Sequence, residues 1–95
     1  MFVSIDGDNK KHNVKIFTLS TCGWCRKTKK LLKDMNIAFE YVDVDMLSGK
    51  EKRETLKEMK QYNPKRSFPM IIIDGNVVVG YHPDDILKLL QEGEE

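Results

Sequence analysis

Length, composition and charge exclude several classes of protein before any motif is considered. The 95 residues can form one hydrophobic core but not two, and 40% hydrophobic with 33% charged residues is the balance of a soluble globular domain. No apolar run approaches the ~20 residues that a membrane helix needs. The N-terminus also lacks the basic and apolar regions of a signal peptide, so we expect a cytoplasmic protein without a membrane partner. The net charge is only +1 and the cations cluster in residues 26–33, which argues against a nucleic-acid partner.

Residues 1–13 are predicted to be an N-terminal extension of a domain that comprises residues 14–95. Residues 2–5 show a short apolar alternation, which is typical of either an additional edge strand or a terminal tail, and we favour the strand. A polar stretch follows at residues 6–13. Neither His12 in this stretch nor His82 near the C-terminus is assigned a role.

The next segment predicts a strand, a helix and a second strand. Residues 14–19 are rich in β-branched and aromatic side chains, and residues 39–44 alternate between apolar and polar side chains. Between them, residues 26–35 form a basic helical run. A strand, helix and strand of this length form a parallel βαβ unit with a right-handed crossover.

The only two cysteines, Cys22 and Cys25, lie at the junction between this first strand and the helix. At such a junction the unpaired N–H groups and the positive end of the helix dipole favour a thiolate at Cys22 over a thiol. Two intervening residues bring both sulfurs within reach on one turn, so Cys22 can form a mixed disulfide and Cys25 can resolve it. We therefore predict thiol–disulfide exchange with a reversible Cys22–Cys25 disulfide.

Three other interpretations of the cysteine pair remain open at this point. A zinc site needs two further ligands, for which His12 and His82 are the candidates. A structural disulfide is the second alternative, although so short a loop constrains the unfolded chain very little. Two buried, inert thiols are the third. Against this last alternative, five cations follow within two helical turns: Arg26, Lys27, Lys29, Lys30 and Lys33.

A second helix is predicted after the second strand. Ser48 and Glu51 match the capping-box pattern, in which each side chain bonds to the backbone N–H of the other residue. The helix is expected to run to about Tyr62 and to be stopped by Pro64. Its apolar face is predicted to consist of Leu56, Met59 and Tyr62.

The C-terminal part predicts a hairpin and a third helix. Asp74-Gly75 is typical of a type I′ turn, and the continuous Ile and Val runs beside it predict strands that are covered on both faces. Pro83 suits the first position of the last helix. The complete order, β-α-β-α-β-β-α, predicts an α/β fold with a four-stranded mixed sheet flanked by three helices, and a possible extra N-terminal strand.

This arrangement resembles the glutaredoxin branch of the thioredoxin superfamily over about residues 14–91. Four motifs carry the resemblance: Cys22-Gly23-Trp24-Cys25, Phe68-Pro69, Asp74-Gly75 and Gly80-Tyr81-His82-Pro83-Asp84. The resemblance implies a thioredoxin-like fold and an enzyme, a thiol–disulfide oxidoreductase that reduces protein disulfides. Its catalytic residues would be Cys22 as the nucleophile and Cys25 as the resolving thiol.

The resemblance also implies which residues contact a substrate or partner. The family has a cis proline that lies against the active site, and here this is Pro69 with Phe68 before it. Trp24 is expected to be either a half-exposed docking surface or an aromatic that packs on the last helix. The remaining substrate-binding or partner-binding residues are expected to be Gly80, Tyr81 and Asp84, and the alternative for Tyr81 and Asp84 is a role in the turn and at the helix dipole only.

Several positions depart from the glutaredoxins that use glutathione. Leu19 stands where they usually carry a basic residue, and Ser67-Phe68 replaces their Thr-Val. Residues 80–84 look more like the Gly-Phe-Arg-Pro-Asp of the glutaredoxin-like redoxins that reduce ribonucleotide reductase and take electrons from a thioredoxin-reductase-like enzyme. The resemblance therefore implies a disulfide reductase as electron donor and leaves the use of glutathione open.

The expected protein is a monomer without a bound cofactor or metal. An alternative function is a module that shares a [2Fe–2S] cluster across a dimer, through the first cysteine and glutathione. Gly23 leaves this alternative open, because it replaces the proline that tends to oppose cluster binding in the family.

Overall fold

The computed structural model describes residues 2–63 and 67–91 of the chain. Its elements are β1 (Val3–Ile5), β2 (Val14–Thr18), α1 (Gly23–Asp34), β3 (Phe39–Asp43), α2 (Gly49–Tyr62), β4 (Met70–Ile73), β5 (Asn76–Val79) and α3 (Pro83–Gln91), with a 3₁₀ turn at Val44–Met46. Pro64, the predicted stop of the second helix, and residues 92–95 of the predicted domain lie outside the described residues. Within the described residues, no helix is both long and apolar enough to cross a membrane.

The five strands form one mixed sheet in the order β1-β3-β2-β4-β5. β2 and β3 are parallel, as predicted for the βαβ unit, and the other neighbouring strands are antiparallel. The start of the N-terminal extension is an edge strand and not a tail, because Val3 pairs with Tyr41 and the rest of β1 continues this register along β3. The predicted mixed sheet with three helices is therefore confirmed, with the extra N-terminal strand.

The helices cover both faces of the sheet. On one face, Leu32 of α1 and Ile86 of α3 share a buried cluster with Ile16 of β2. On the other face, Met59 of α2 shares a second cluster with Phe17 of β2. β2 is thus buried on both sides, and the segment that follows it starts from a fixed position in the core.

The two strands of the hairpin differ in burial. β4 is buried along its whole length, as its isoleucine run predicts. In β5, Asn76 is exposed and both Val77 and Val79 are only half-buried. The prediction that this strand is covered on both faces is wrong. Val78 is buried on the face that packs on α3, whereas Val77 and Val79 on the opposite face are only partly covered, because β5 forms the edge of the sheet.

α2 departs from its prediction at both ends. Ser48 occupies the N-cap position, but its side chain makes no capping hydrogen bond, so the capping box does not form. Gly49, directly after the N-cap, has a left-handed backbone (φ 56°) and not the right-handed backbone of a regular first helical residue. Tyr62 is exposed because it ends the helix, and the buried position one turn before Met59 belongs to Thr55.

The hairpin turn fastens the N-terminal extension to the sheet. Asp74 (φ 51°) and Gly75 (φ 88°) have the two positive φ angles of the predicted type I′ turn. His12 Nδ1 lies 2.6 Å from Asp74 Oδ2, and the Asn13 N–H donates to Asp74 Oδ1 at 2.8 Å. These two bonds, the His12 bond foremost, lower the pKa of Asp74. His12 is therefore a link between the extension and the hairpin.

Candidate active site

Cys22 occupies the N-cap position of α1, just after the end of β2. The Cys25 N–H donates to Cys22 Sγ at 3.2 Å, and the Arg26 N–H donates to the Cys22 carbonyl oxygen at 3.2 Å. One N–H group of the first helical turn, which has no partner within the helix, is therefore directed at the Cys22 sulfur. This is the geometry that the sequence predicted for the junction.

The two thiols differ in exposure. Cys22 is half-buried, whereas Cys25 is completely buried. Burial, and after it the hydrogen bond with Cys22, raises the pKa of Cys25 to about 12. A hydrogen bond with the Leu19 backbone and the charge of Lys29 oppose this increase. Cys22 is therefore the more accessible of the two sulfurs, and Cys25 lies behind it as a protonated thiol.

Trp24 forms an exposed aromatic surface beside the cysteines. It is 56% exposed, and its ring stacks on Tyr81 with the ring centroids 5.5 Å apart. Lys27 Nζ lies 4.5 Å from the centroid of the Trp24 ring. Tyr81 belongs to the loop before α3, so Trp24 packs against this loop residue and keeps much of its surface in solvent. The stack and the cation–π contact favour one orientation of the exposed ring.

The end of the sheet from which the chain runs into Cys22 also carries Phe68, Pro69 and Gly80. This follows because β4 pairs antiparallel with β2, so the start of β4 lies beside the end of β2. The Phe68–Pro69 peptide bond is cis, as the resemblance implies. Pro69 is buried and Phe68 is half-buried. The Gly80 N–H donates to the Pro69 carbonyl oxygen at 2.8 Å, and Gly80 has a positive φ of 87° that favours glycine. Asp84 is exposed in the first turn of α3.

A polar contact that the sequence analysis missed holds the segment before Cys22. The Ser20 N–H donates to Asp45 Oδ1 at 2.8 Å, and the Ser20 hydroxyl donates to Asp45 Oδ2. The hydroxyl bond, followed by the backbone bond, lowers the pKa of Asp45. These residues follow β2 and β3, and the carboxyl ends of neighbouring parallel strands meet at one edge of a sheet. The positions of Ser20 and Asp45 after these two strands could therefore have predicted this contact from the sequence.

A second missed contact involves the basic run of α1. Lys29 Nζ lies 3.4 Å from Asp43 Oδ1, and Thr18 Oγ1 lies 2.6 Å from the same oxygen. The neighbouring Lys30 instead pairs with Asp34 on the helix surface. The basic run is therefore divided between one half-buried cation and a set that is exposed: Arg26, Lys27, Lys30 and Lys33.

The residues weighed above as zinc ligands do not meet. Among residues 2–63 and 67–91, no three side chains of the His, Cys, Asp or Glu type are grouped so that they could hold a metal ion. His12 lies against the hairpin turn at Asp74.

Comparison with known proteins identifies relatives of this chain. Residues 14–78 match a family model described as glutaredoxin. A protein described as an uncharacterized glutaredoxin-like 8.6 kDa protein in the rubredoxin operon of Clostridium pasteurianum is 39% identical over 79 residues, which cover 83% of this chain and 99% of that protein.

Two solved structures are similar over most of the chain. The glutaredoxin from Methanosarcina mazei Go1 aligns with a TM-score of 0.85 and 41% identity, covering 95% of this chain and 87% of the other. The methanoredoxin of Methanosarcina acetivorans aligns with a TM-score of 0.79 and 41% identity, covering 83% of this chain and 84% of the other. The first alignment extends beyond the residues matched by the family model.

Proposed function

The chain belongs to the glutaredoxin family, whose members are thiol–disulfide oxidoreductases, and from this premise we propose that it reduces protein disulfides with a pair of thiols. Cys22 acts as the nucleophile and Cys25 as the resolving thiol. The observation that carries this proposal is the difference between the two cysteines. Cys22 is partly open to a substrate and receives a helix N–H at its sulfur, whereas Cys25 is buried directly behind it.

Each turnover consists of two exchanges. In the first, the Cys22 thiolate attacks one sulfur of the substrate disulfide. A bond forms between these sulfurs, the substrate S–S bond breaks, and the other substrate sulfur leaves as a thiolate that takes up a proton. In the second, Cys25 gives up its proton and attacks the Cys22 sulfur. The Cys22–Cys25 bond forms, the bond between Cys22 and the substrate breaks, and the second substrate sulfur leaves as a thiolate that takes up a proton. The substrate thus gains the two electrons that the cysteine pair loses.

The substrate is proposed to be a protein that docks beside the cysteines. The exposed ring of Trp24, supported by Tyr81, offers apolar area of the kind that recurs in protein interfaces. Phe68 and Pro69 border the same end of the sheet, and with Gly80 and Asp84 they complete the proposed partner-binding residues. The likeness of residues 80–84 to redoxins makes ribonucleotide reductase one proposed target.

The proposed electron donor is a thioredoxin-reductase-like enzyme and not glutathione. Leu19 offers no charge to a glutathione carboxylate. A substitute cation would have to come from Lys15 on β2, which is already paired with Glu58 at 3.2 Å, or from a lysine in residues 26–33. Pro83 removes one backbone N–H from the turn that would face the γ-glutamyl end of glutathione, where the α-carboxylate could accept it. Losing a single charge-assisted hydrogen bond costs about 1.5–3 kcal/mol, which is more than about tenfold in affinity.

The test measures reduction of a protein disulfide with three donors at equal reducing equivalents: glutathione, a small dithiol, and a thioredoxin reductase with its nicotinamide cofactor. We expect faster turnover with the dithiol and with the reductase than with glutathione. The Cys22→Ser variant is the control and should show no turnover with any donor. Equal or faster turnover with glutathione would refute the choice of donor, and absence of turnover with every donor would refute the proposed function.

A monomer in the reducing cytoplasm, without a bound cofactor, is part of the same proposal. The iron–sulfur alternative stays a prediction that visible absorption of the purified protein tests, since a [2Fe–2S] cluster would colour it. Size-exclusion chromatography with and without glutathione separates the monomer from the dimer that such a cluster requires.

A further inference from the structure

The ion pair of Lys29 and Asp43 involves the helix face that carries the buried thiol, and it has no part in the exchange described above. Lys29 follows Cys25 by four residues on α1, so both side chains lie on the same face of the helix. The Lys29 side chain is only 17% exposed and that of Asp43 is 23% exposed. Withdrawing two charges from water carries a desolvation cost. We therefore ask what function the position of this half-buried ion pair could serve.

Several contacts fix the position of the Lys29 ammonium group. Its Nζ lies 3.4 Å from Asp43 Oδ1 and 3.8 Å from the centroid of the Tyr41 ring. Asp43 is held in turn by Thr18, a completely buried residue whose Oγ1 lies 2.6 Å from the same carboxylate oxygen. Lys30, the next residue of the helix, provides the contrast, because its side chain is 75% exposed.

We infer that Lys29 is a positioning residue for the resolving step, in which its fixed charge favours the thiolate of Cys25 as this sulfur attacks Cys22. The inference rests on the proposed function. Burial in a medium of low dielectric constant disfavours the thiolate, and a fixed cation nearby offsets part of that cost. The effect of Lys29 on the pKa of Cys25 has this sign: burial raises the value most strongly, and the Lys29 charge, the smallest of the influences, lowers it.

The groups that act on the Cys25 sulfur come from three elements. Lys29 belongs to α1 and Cys22 is the N-cap of this helix, and the Leu19 backbone belongs to the segment before it. Asp43 belongs to β3 and is paired with Lys29, whose charge it partly neutralises. During the step, the electron pair of the Cys25 thiolate forms the bond to the Cys22 sulfur, and the bond between Cys22 and the substrate sulfur breaks. Lys29 neither gains nor loses a proton.

The experiment separates the two exchanges in time. The reduced protein is mixed in a stopped-flow instrument with an excess of an aromatic disulfide whose released thiolate is coloured. The first release reports the attack by Cys22, and its rate depends on the disulfide concentration. The second release reports the attack by Cys25 on the mixed disulfide, and its rate does not. Both rates are measured as a function of pH for the wild type and for Lys29→Gln, Lys29→Met, Lys29→Arg and Lys30→Gln.

We expect Lys29→Gln and Lys29→Met to slow the second release by about threefold to tenfold near neutral pH, which corresponds to a change of at most about one pKa unit. The pH dependence of the second release should move to higher pH in both variants. Lys29→Arg retains the charge and should restore most of the rate. Lys30→Gln removes a neighbouring, exposed charge and should leave both releases unchanged. An unchanged first release in the Lys29 variants shows that the site remains folded.

A second release in Lys29→Gln and Lys29→Met with the same rate and pH dependence as in Lys30→Gln would overturn the inference and leave the proposed function intact. Equal slowing of both releases in these variants would also overturn it, since Lys29 would then act on the fold and not on Cys25. Failure of the wild type to release any thiolate would refute the proposed function itself, and the inference with it.

Discussion

Replacing Gly7 with alanine should destabilise the fold, because this glycine lies directly against the backbone between α1 and β3. A Cβ atom at Gly7 would lie 2.7 Å from the Ala38 nitrogen, from the Asn36 oxygen and from the Ile37 carbonyl carbon, whereas ordinary contacts of a Cβ are 3.4–4 Å. All three neighbours are backbone atoms, so no side chain can rotate to relieve the overlap.

Backbone atoms of this segment, residues 36–38, also make other hydrogen bonds. The Asn9 N–H donates to the Asn36 oxygen at 2.9 Å, and the Ala38 N–H donates to the Asn9 oxygen at 2.9 Å. Making room for a methyl group therefore weakens these bonds or shifts the start of β3. Overpacking of this kind costs about 1–3 kcal/mol, and each kcal/mol lowers the Tm by roughly 4–8 °C in a domain of this size.

The assay is thermal unfolding of the reduced protein, followed by circular dichroism. Gly23→Ala is the matched control, because a Cβ at Gly23 meets nothing within 4 Å and the residue lies in the first turn of α1. It should leave the Tm unchanged or raise it slightly, since alanine is favoured over glycine in a helix by up to about 1 kcal/mol. A Gly7→Ala protein that unfolds at the same temperature as the wild type would refute the close packing of the N-terminal extension.

Two further predictions concern the docking surface and the hairpin turn. Trp24→Ala should lower kcat/KM for a protein disulfide by about threefold to tenfold, equivalent to roughly 1 kcal/mol. Turnover of a small aromatic disulfide should change little. An equal loss for both substrates would contradict the docking role. Asp74→Asn keeps a residue that tolerates positive φ but removes the charge that His12 contacts. Because the pKa of Asp74 is lowered in the folded state, its contribution to stability is complete above the ordinary carboxyl pKa of about 3.9 and is lost as the pH falls further. The variant should therefore unfold at a lower temperature than the wild type at neutral pH and approach it in acid, and a deficit that persists unchanged in acid would contradict the link.

Features set by neighbouring residues were predicted well from the sequence. Cys22 and Cys25 follow a strong strand pattern and open a helix, so local geometry alone predicted an N–H directed at the first sulfur. Asp74-Gly75 predicted its turn because few residue pairs tolerate two positive φ angles, and Pro83 predicted the start of α3 for an equally local reason.

Features that depend on distant parts of the chain were not predicted. The contacts of His12 with Asp74 and of Lys29 with Asp43 join residues that meet only because of the register of the sheet and the packing of α1. A local pattern also failed at the start of α2: Ser48 reached the N-cap position, but the residue after it is left-handed and the capping bond does not form. Sequence patterns indicate which element forms more reliably than which side chains meet across elements.

The division of labour between Cys22 and Cys25 is tested most directly by trapping the mixed disulfide. Each reduced single variant, Cys25→Ser and Cys22→Ser, is incubated with a protein disulfide and examined by intact mass spectrometry and by turnover. Cys25→Ser should accumulate a covalent adduct at Cys22, because the attack is intact and the resolving thiol is gone. Cys22→Ser should form no adduct and show no turnover, because its remaining thiol is buried. Turnover by Cys22→Ser at the wild-type rate, or an adduct that forms faster on Cys25 than on Cys22, would contradict the account.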